Sequence, residues 1–180
     1  MKAVRIPKER VGVIIGTNGE TKAYMEEKLG VQLNVDTEGE VTIMEESAKD
    51  PLAVLKAMDV VKAIGRGFSP QHAYRLFDDM EYLEIIDMKD YVGSKTEHLT
   101  RQRARVIGSN GKTRRLIEDL SGVDLSVYGS TVGIIGQPEQ VQVARKAVDM
   151  LLRGSEHSTV YRFLERSRPK LRIIEMGFEP

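Results

Sequence analysis

A chain of 180 residues, 41% hydrophobic and free of cysteine, has room for one large or two small globular domains, and neither disulfides nor thiolate-bound metal can hold it together. Its 27 basic and 27 acidic side chains cancel, yet they are unevenly placed: the balance is +2 over residues 1–35, −7 over 36–90 and +5 over 91–180. No stretch approaches the roughly 18 apolar residues of a membrane span and residues 1–7 lack the apolar core of a signal peptide, so a cytoplasmic protein is expected.

Taken in chain order, Ala3 to Ile6 alternates toward a short strand, and Lys8 to Ile15 reads as a short helix stopped by Gly16. After the loop Gly16-Thr17-Asn18-Gly19, residues 20–29 form a helix that Gly30 closes. Val31, Leu33 and Val35 alternate as a half-buried strand, Glu38-Gly39-Glu40 turns, and Val41 to Met44 returns as the second arm of a hairpin. Asp50-Pro51 opens a third helix whose apolar face is expected to carry Leu52, Val54, Leu55, Met58, Val61 and Ile64. Gly65 to Pro70 breaks it, residues 70–77 could begin another helix, and the linker is placed here, dividing the chain into residues 1–78 and 79–180.

The order then recurs: a strand over 82–87, a helix around 100–107, the loop Gly108-Ser109-Asn110-Gly111, a helix over 112–120, strands over 123–127 and 131–135, and a helix over 138–152. The two loops lie 92 residues apart, and the same offset places Thr21 on Thr113, Glu26 on Glu118, and Gly30, Val31, Leu33 and Val35 on Gly122, Val123, Leu125 and Val127. A match that keeps phase across a loop, a helix and a strand marks an internal duplication.

A G-x-x-G loop that leads into a helix has a definite chemistry. Glycine lets another backbone come within contact distance, and the unpaired amides at the helix start carry the positive end of its dipole. Such a site suits the phosphodiester chain of a nucleic acid. Around the second loop, Lys95, Arg101, Arg103, Arg105, Lys112, Arg114 and Arg115 stand against only Glu97 and Glu118 over residues 95–118, a basic patch focused on the loop.

The pattern Val-Ile-Gly-x-Asn-Gly, followed by a helix, two strands and a long helix, resembles the KH domain. That resemblance implies an α+β chain of two tandem type I KH domains (β-α-α-β-β-α), each a three-stranded antiparallel sheet with three helices on one face, and a G-x-x-G loop that clamps a short single strand of RNA or DNA. Basic residues at Lys22 and Arg114, where many KH domains are apolar, together with Ala63-Ile64-Gly65-Arg66-Gly67-Phe68-Ser69-Pro70 and Ser158-Thr159-Val160-Tyr161, resemble the partner-of-Nob and KRR-motif group of small-subunit ribosome-assembly proteins, particularly its compact archaeal form. In eukaryotic members the first loop is often degenerate, whereas Gly16-Thr17-Asn18-Gly19 is intact.

The resemblance implies binding to ribosomal RNA near the 3′ end of 16S rRNA. It also implies three protein partners: the endonuclease that trims that end, the rRNA adenosine dimethyltransferase, and the alpha subunit of the initiator-tRNA-carrying translation factor. The residues expected to carry RNA are Gly108, Ser109, Asn110, Gly111, Lys112, Arg103, Arg105, Arg114 and Arg115 in the second half, and Gly16, Thr17, Asn18, Gly19 and Lys22 in the first. Val106, Ile107, Leu116 and Val127 are candidates to support bases. Glu20 stands where the second half has Lys112, so the second half should dominate affinity while the first tunes specificity or meets a protein.

Catalysis and cofactors are not expected. The G-K-T at 111–113 lacks the glycine that a nucleotide-binding P-loop needs at Val106, and His72, His98 and His157 have no metal-ligand spacing. The alternative to ribosome assembly is a general single-stranded RNA- or DNA-binding module of a decay or transcription machine, and a protein scaffold is a third reading. For the tail, two uses remain open: Arg162, Arg166, Arg168, Lys170 and Arg172 extend the RNA surface, or Val160, Phe163 and Leu164 pack it onto the second half.

Overall fold

Alternation decides the first sheet. Val4, Leu33, Val41 and Ile43 are buried, while Ala3, Gln32, Asn34 and Glu40 on the same strands are exposed, so the sheet offers one apolar face. The structure, a computed structural model, describes residues 1–48 and 50–179. Strands β1 (Lys2–Arg5) and β2 (Gln32–Val35) flank the central β3 (Glu40–Met44), both antiparallel to it, with Val4 opposite Val41 and Leu33 opposite Ile43. The apolar face is covered by helices α1 (Val11–Ile15, led by a 3-10 turn over Lys8–Arg10), α2 (Glu20–Leu29) and α3 (Pro51–Gly65).

Local chemistry sets the ends of these helices. Asp50 caps α3 by accepting the Leu52 N–H at 3.0 Å, with Pro51 in the first turn, and Gly30 ends α2 at φ 65°. The core face of α3 is the expected one in part. Val54, Val61 and Ile64 are buried, joined by Ala53, Ala57, Val60 and Ala63, whereas Leu52 and Leu55 are 58% and 54% exposed. Small side chains let the helix sit close on the sheet, so the alanines, not the leucines, mark its buried stripe.

Residues at the expected linker are folded onto α3. Phe68 is buried, Ser69 caps the short helix α4 (Pro70–Ala73), and a 3-10 turn follows over Tyr74–Phe77. The chain divides into two compact units, Met1–Leu83 and Glu84–Pro180.

The second unit repeats the plan. Strands β4 (Tyr82–Asp87) and β5 (Asp124–Tyr128) flank β6 (Thr131–Gly136), with Leu125 opposite Ile134 as Leu33 is opposite Ile43. Its helices are α5 (Lys89–Val92), α6 (Thr96–Ile107), α7 (Lys112–Ser121), α8 (Pro138–Leu152) and α9 (His157–Glu175). Helix α6 begins a turn earlier than the periodicity predicts, because its first turn, Thr96-Glu97-His98, offers no apolar signal. The tail is helical throughout α9 despite Pro169; it buries Val160, Leu164 and Leu171 against α7 and α8 and leaves Arg162, Arg166, Lys170 and Arg172 exposed. The packing use of the tail is thus the one seen, an apolar stripe inward, and the basic residues form the outward face of the same helix.

Candidate nucleic-acid interface

The two loops have the same backbone. Gly16 and Gly108 both sit at φ 76° with ψ 174° and 172°, Asn18 and Asn110 at φ 54° and 55°, and Gly19 and Gly111 at φ 75°. Among the described residues, Asn18 and Asn110 are the non-glycine positions with positive φ, so the two units place the same left-handed turn at the same point.

The two glycines of each loop do different work. A Cβ on Gly108 would collide with Thr113 Oγ1 and stand 2.7 Å from the Thr113 nitrogen, and one on Gly16 would meet Thr21 in the same way. The first glycine therefore lets the loop close against the start of the next helix. A Cβ on Gly19 would meet nothing within 4 Å, and one on Gly111 would meet only Arg115 Nη1, at 3.6 Å. The second glycine presents a bare Cα to open space, the condition for another chain's backbone to approach. The N-cap glycines of α2 and α7 offer no side-chain cap, but the amides expected to be unpaired are not: those of Glu20 and Lys112 donate to the Thr17 and Ser109 carbonyls of the loop, so the helix dipole and not a free first amide is what remains to attract an anion.

Side chains around the second loop fall into four groups. Ser109, Asn110, Lys112 and Arg115 are exposed at the tip and at the helix start, with the Lys112 ammonium 5.6 Å from the centre of the Tyr161 ring. Arg114 meets Glu118 at 3.4 Å, as Lys22 meets Glu26 at 3.1 Å in the first unit. Arg103 reaches toward the β5–β6 turn, its Nη1 3.5 Å from the Gly129 carbonyl. Arg105 turns inward and donates to the carbonyls of Leu151, at 3.2 Å, and Ser155. Of the expected cations, Lys112, Arg114 and Arg115 thus follow the loop directly on α7, Arg103 lies at the β5–β6 turn, and the guanidinium of Arg105 closes the C-terminal end of α8.

In the first unit, Thr17 and Asn18 are exposed at the tip and Glu20 is exposed at the start of α2. A carboxylate in that place suits the helix dipole and repels a phosphate, whereas Lys112 attracts one. Of the apolar residues expected to support bases, Val106 is fully buried and faces the core, and Ile107, Leu116 and Val127 are half-buried.

Sequence reading gave no role at the loop to Tyr161, whose hydroxyl lies 2.8 Å from Thr113 Oγ1 directly behind the loop, or to His157, whose Nε2 lies 3.0 Å from the Arg105 carbonyl. The signal for Tyr161 is a second repeat offset, 87, which places Tyr74 on Tyr161. Among the described residues no group of three His, Asp or Glu side chains is placed to hold a metal, and no helix is long and apolar enough to cross a membrane.

Comparisons with known proteins agree with this geometry. Residues 82–169 match a family model for a eukaryotic type KH domain (type I), that of the second KH domain of PNO1, and residues 2–63 match the general KH-domain model. A KH domain-containing protein of Methanocaldococcus jannaschii is 51% identical over 173 residues, covering 96% of this chain and 76% of its own. The pre-rRNA-processing protein pno1 of Schizosaccharomyces pombe is 31% identical over 179 residues, 96% of this chain and 74% of its own. Among solved structures, the complex of a/eIF2alpha, aDim2p and rRNA from Pyrococcus horikoshii contains a chain with TM-score 0.87 and 48% identity, covering 93% of each.

Proposed function

The chain belongs to the PNO1/Dim2 family of pre-rRNA-processing KH-domain proteins, an RNA-binding family of ribosome biogenesis, and from that membership we propose that it binds a single-stranded segment near the 3′ end of 16S rRNA. The second loop holds the RNA backbone. Gly111 admits the sugar-phosphate chain, the ammonium of Lys112 at the positive end of α7 receives a phosphate, and Arg115, Arg114 and Arg103 neutralise its neighbours. Ile107 and Val127 support bases without aromatic stacking, so one unit alone binds modestly, and linking two units supplies the rest. The observation that carries this reading is the bare Cα of Gly111 facing open space beside an exposed Lys112.

The first loop, with the same backbone but Glu20 in place of a lysine, adds specificity or a protein contact. A solved relative's complex contains a/eIF2alpha together with rRNA, and the alpha subunit of the initiation factor is the first protein partner we assign. The 3′-end endonuclease and the adenosine dimethyltransferase, which act on the same region of rRNA, are the next two. The protein performs no chemistry itself; it works in the cytoplasm by presenting or shielding the RNA.

The test is affinity of the full chain for a 16S 3′-end oligonucleotide and a scrambled control across salt. It is run on the unaltered protein, on Ser109→Asp/Asn110→Asp and on Thr17→Asp/Asn18→Asp. Binding should select the 3′-end sequence, with a log-log salt slope near −3 for about four phosphates. The second-loop variant should abolish it and the first-loop variant should weaken it less. Equal binding to both oligonucleotides would point instead to a general RNA- or DNA-binding module of a decay or transcription machine.

A further inference from the structure

The duplication runs further than the offset of 92 shows. Helices α3 and α8, Pro51–Gly65 and Pro138–Leu152, correspond at an offset of 87, because the hairpin and the link to the helix are shorter in the second unit. Carried past these helices, the offset of 87 places Ile64 on Leu151, Phe68 on Ser155 and Tyr74 on Tyr161. Each unit therefore has a segment beyond its β-α-α-β-β-α core that corresponds to the other.

Atomic contacts follow the same correspondence. Arg10, just ahead of α1, donates to the carbonyls of Ile64 and Phe68, both at 2.8 Å. Arg105, on α6, donates to those of Leu151 and Ser155. The two arginines stand at different sequence offsets and reach equivalent carbonyls, so the clamp is a property of the fold. Beyond it, the Tyr74 hydroxyl lies beside the Thr21 side chain. In the second unit, Tyr161 Oη lies 2.8 Å from Thr113 Oγ1. Thr21 and Thr113 are the residues against which the first loop glycine closes.

We propose that Tyr161 is a positioning residue for RNA binding: through the buried hydroxyl of Thr113 it holds the G-x-x-G loop in its binding shape, and through its ring it carries Lys112 beside that loop. Tyr74 does the first of these for the first loop. This rests on the reading that the second loop is the RNA site. Thr113 is 1% exposed, so its hydroxyl has no solvent to turn to and takes its orientation from Tyr161. Gly108, at φ 76° and ψ 172°, has a backbone only glycine adopts easily, and its geometry is set by how closely Thr113 approaches. The Tyr161 ring, 5.6 Å from the Lys112 ammonium, restrains a side chain that otherwise ranges over four torsions.

The experiment uses the full chain with Tyr161→Phe, Tyr161→Leu, Thr113→Val and the Thr113→Val/Tyr161→Phe pair. Affinity for the 16S 3′-end oligonucleotide is measured across salt, and the thermal midpoint alongside. Tyr161→Phe should weaken binding about 3- to 10-fold, the value of one hydroxyl pair, with the salt slope unchanged because the ring remains. Tyr161→Leu should weaken it further and flatten the slope by about 0.7, one phosphate contact. The double variant should bind no more weakly than its weaker single parent, the sign of coupled residues.

Full additivity of Thr113→Val and Tyr161→Phe, or an unaltered affinity in Tyr161→Phe, would overturn the assignment. Should Tyr161→Leu fail to fold, Tyr161→Phe and the cycle decide alone. Loss of binding in Ser109→Asp/Asn110→Asp with every Tyr161 variant at the unaltered affinity would sink this inference and leave the loop reading standing. Unaltered binding in Ser109→Asp/Asn110→Asp would remove the loop reading, and this inference with it.

Discussion

Glu118 reaches from α7 to the first pairing positions of β5, where its Oε2 accepts the Leu125 N–H at 3.2 Å while its Oε1 meets Arg114 at 3.4 Å. The first unit repeats the arrangement, with Glu26 accepting from Leu33 at 3.1 Å and meeting Lys22 at 3.1 Å. One carboxylate thus ties the helix after the loop to the sheet and holds the basic residue one turn before it on that helix. Glu118→Ala should cost about 1–3 kcal/mol in a urea titration, since it leaves a backbone donor without its partner beside the buried Leu125. Glu118→Gln keeps an oxygen for Leu125 but releases Arg114 from its counter-charge, so RNA affinity at low salt should rise a few-fold. A weaker Glu118→Gln complex would show that Arg114 needs the carboxylate to hold its place.

Two alanine substitutions in one loop should separate folding from binding. Gly108→Ala places a Cβ 2.7 Å from the Thr113 nitrogen at φ 76°, so both strain and collision oppose it, and the thermal midpoint should fall sharply. Gly111→Ala makes only an ordinary contact with Arg115 Nη1, at 3.6 Å, and bears the left-handed penalty alone, about 1–2 kcal/mol. Its Cβ stands where the sugar-phosphate chain would come, so it should lose most RNA affinity while remaining folded. Gly111→Ala with normal affinity would mean that the RNA does not pass over this glycine.

What the amino-acid pattern revealed depended on punctuation. Helices α2 and α8 and strand β4 match their expected spans because glycine, proline and polar turns mark their ends. Where apolar bulk misleads, reading failed: Leu52 and Leu55 draw the eye to a face of α3 that solvent covers. The loops were legible because they repeat, and Lys112 because its charge stands beside one. Arg105 shows the limit. Its place in a run of arginines suggests a solvated cation, and only the tertiary fold brings the carbonyls of Leu151 and Ser155 to it. Tyr161 stayed hidden because the repeat changes offset before reaching it.

Away from the loop, Tyr91 and Asp149 give a dependence on acid. The Tyr91 hydroxyl donates to Asp149 Oδ1 at 2.6 Å and holds that carboxyl below the ordinary aspartate range, helped by the Arg153 guanidinium at 3.0 and 3.1 Å. A carboxyl lowered in the folded state contributes stability above its unfolded value, about 3.9, and loses it as pH falls through the folded value. Tyr91→Phe should therefore reduce stability at pH 7, by less than about 1 kcal/mol because the group is largely solvated. The gap to the unaltered protein should close as pH drops below 4. Thermal midpoints of the two proteins across pH 2–7 check this, and a gap that persists in acid would assign the effect to lost packing of the hydroxyl.

Arg105 and Lys112 lie seven residues apart on either side of the loop, and their substitutions should act on different quantities. Arg105→Ala leaves the Leu151 carbonyl and the Ser155 carbonyl without their charged donor, a loss of about 1.5–3 kcal/mol that a denaturant midpoint would record. Because this guanidinium faces inward, the salt slope of RNA binding should stay as it was. Lys112→Ala removes an exposed cation at a helix start, where surface substitutions seldom move stability by more than about 0.5 kcal/mol. Its salt slope should flatten by about 0.7, the loss of one phosphate contact on a single strand. If Arg105→Ala flattened the slope and left the midpoint unmoved, its guanidinium would have to leave α8 for the RNA, and the clamp on the end of that helix would be a feature of the unbound protein only.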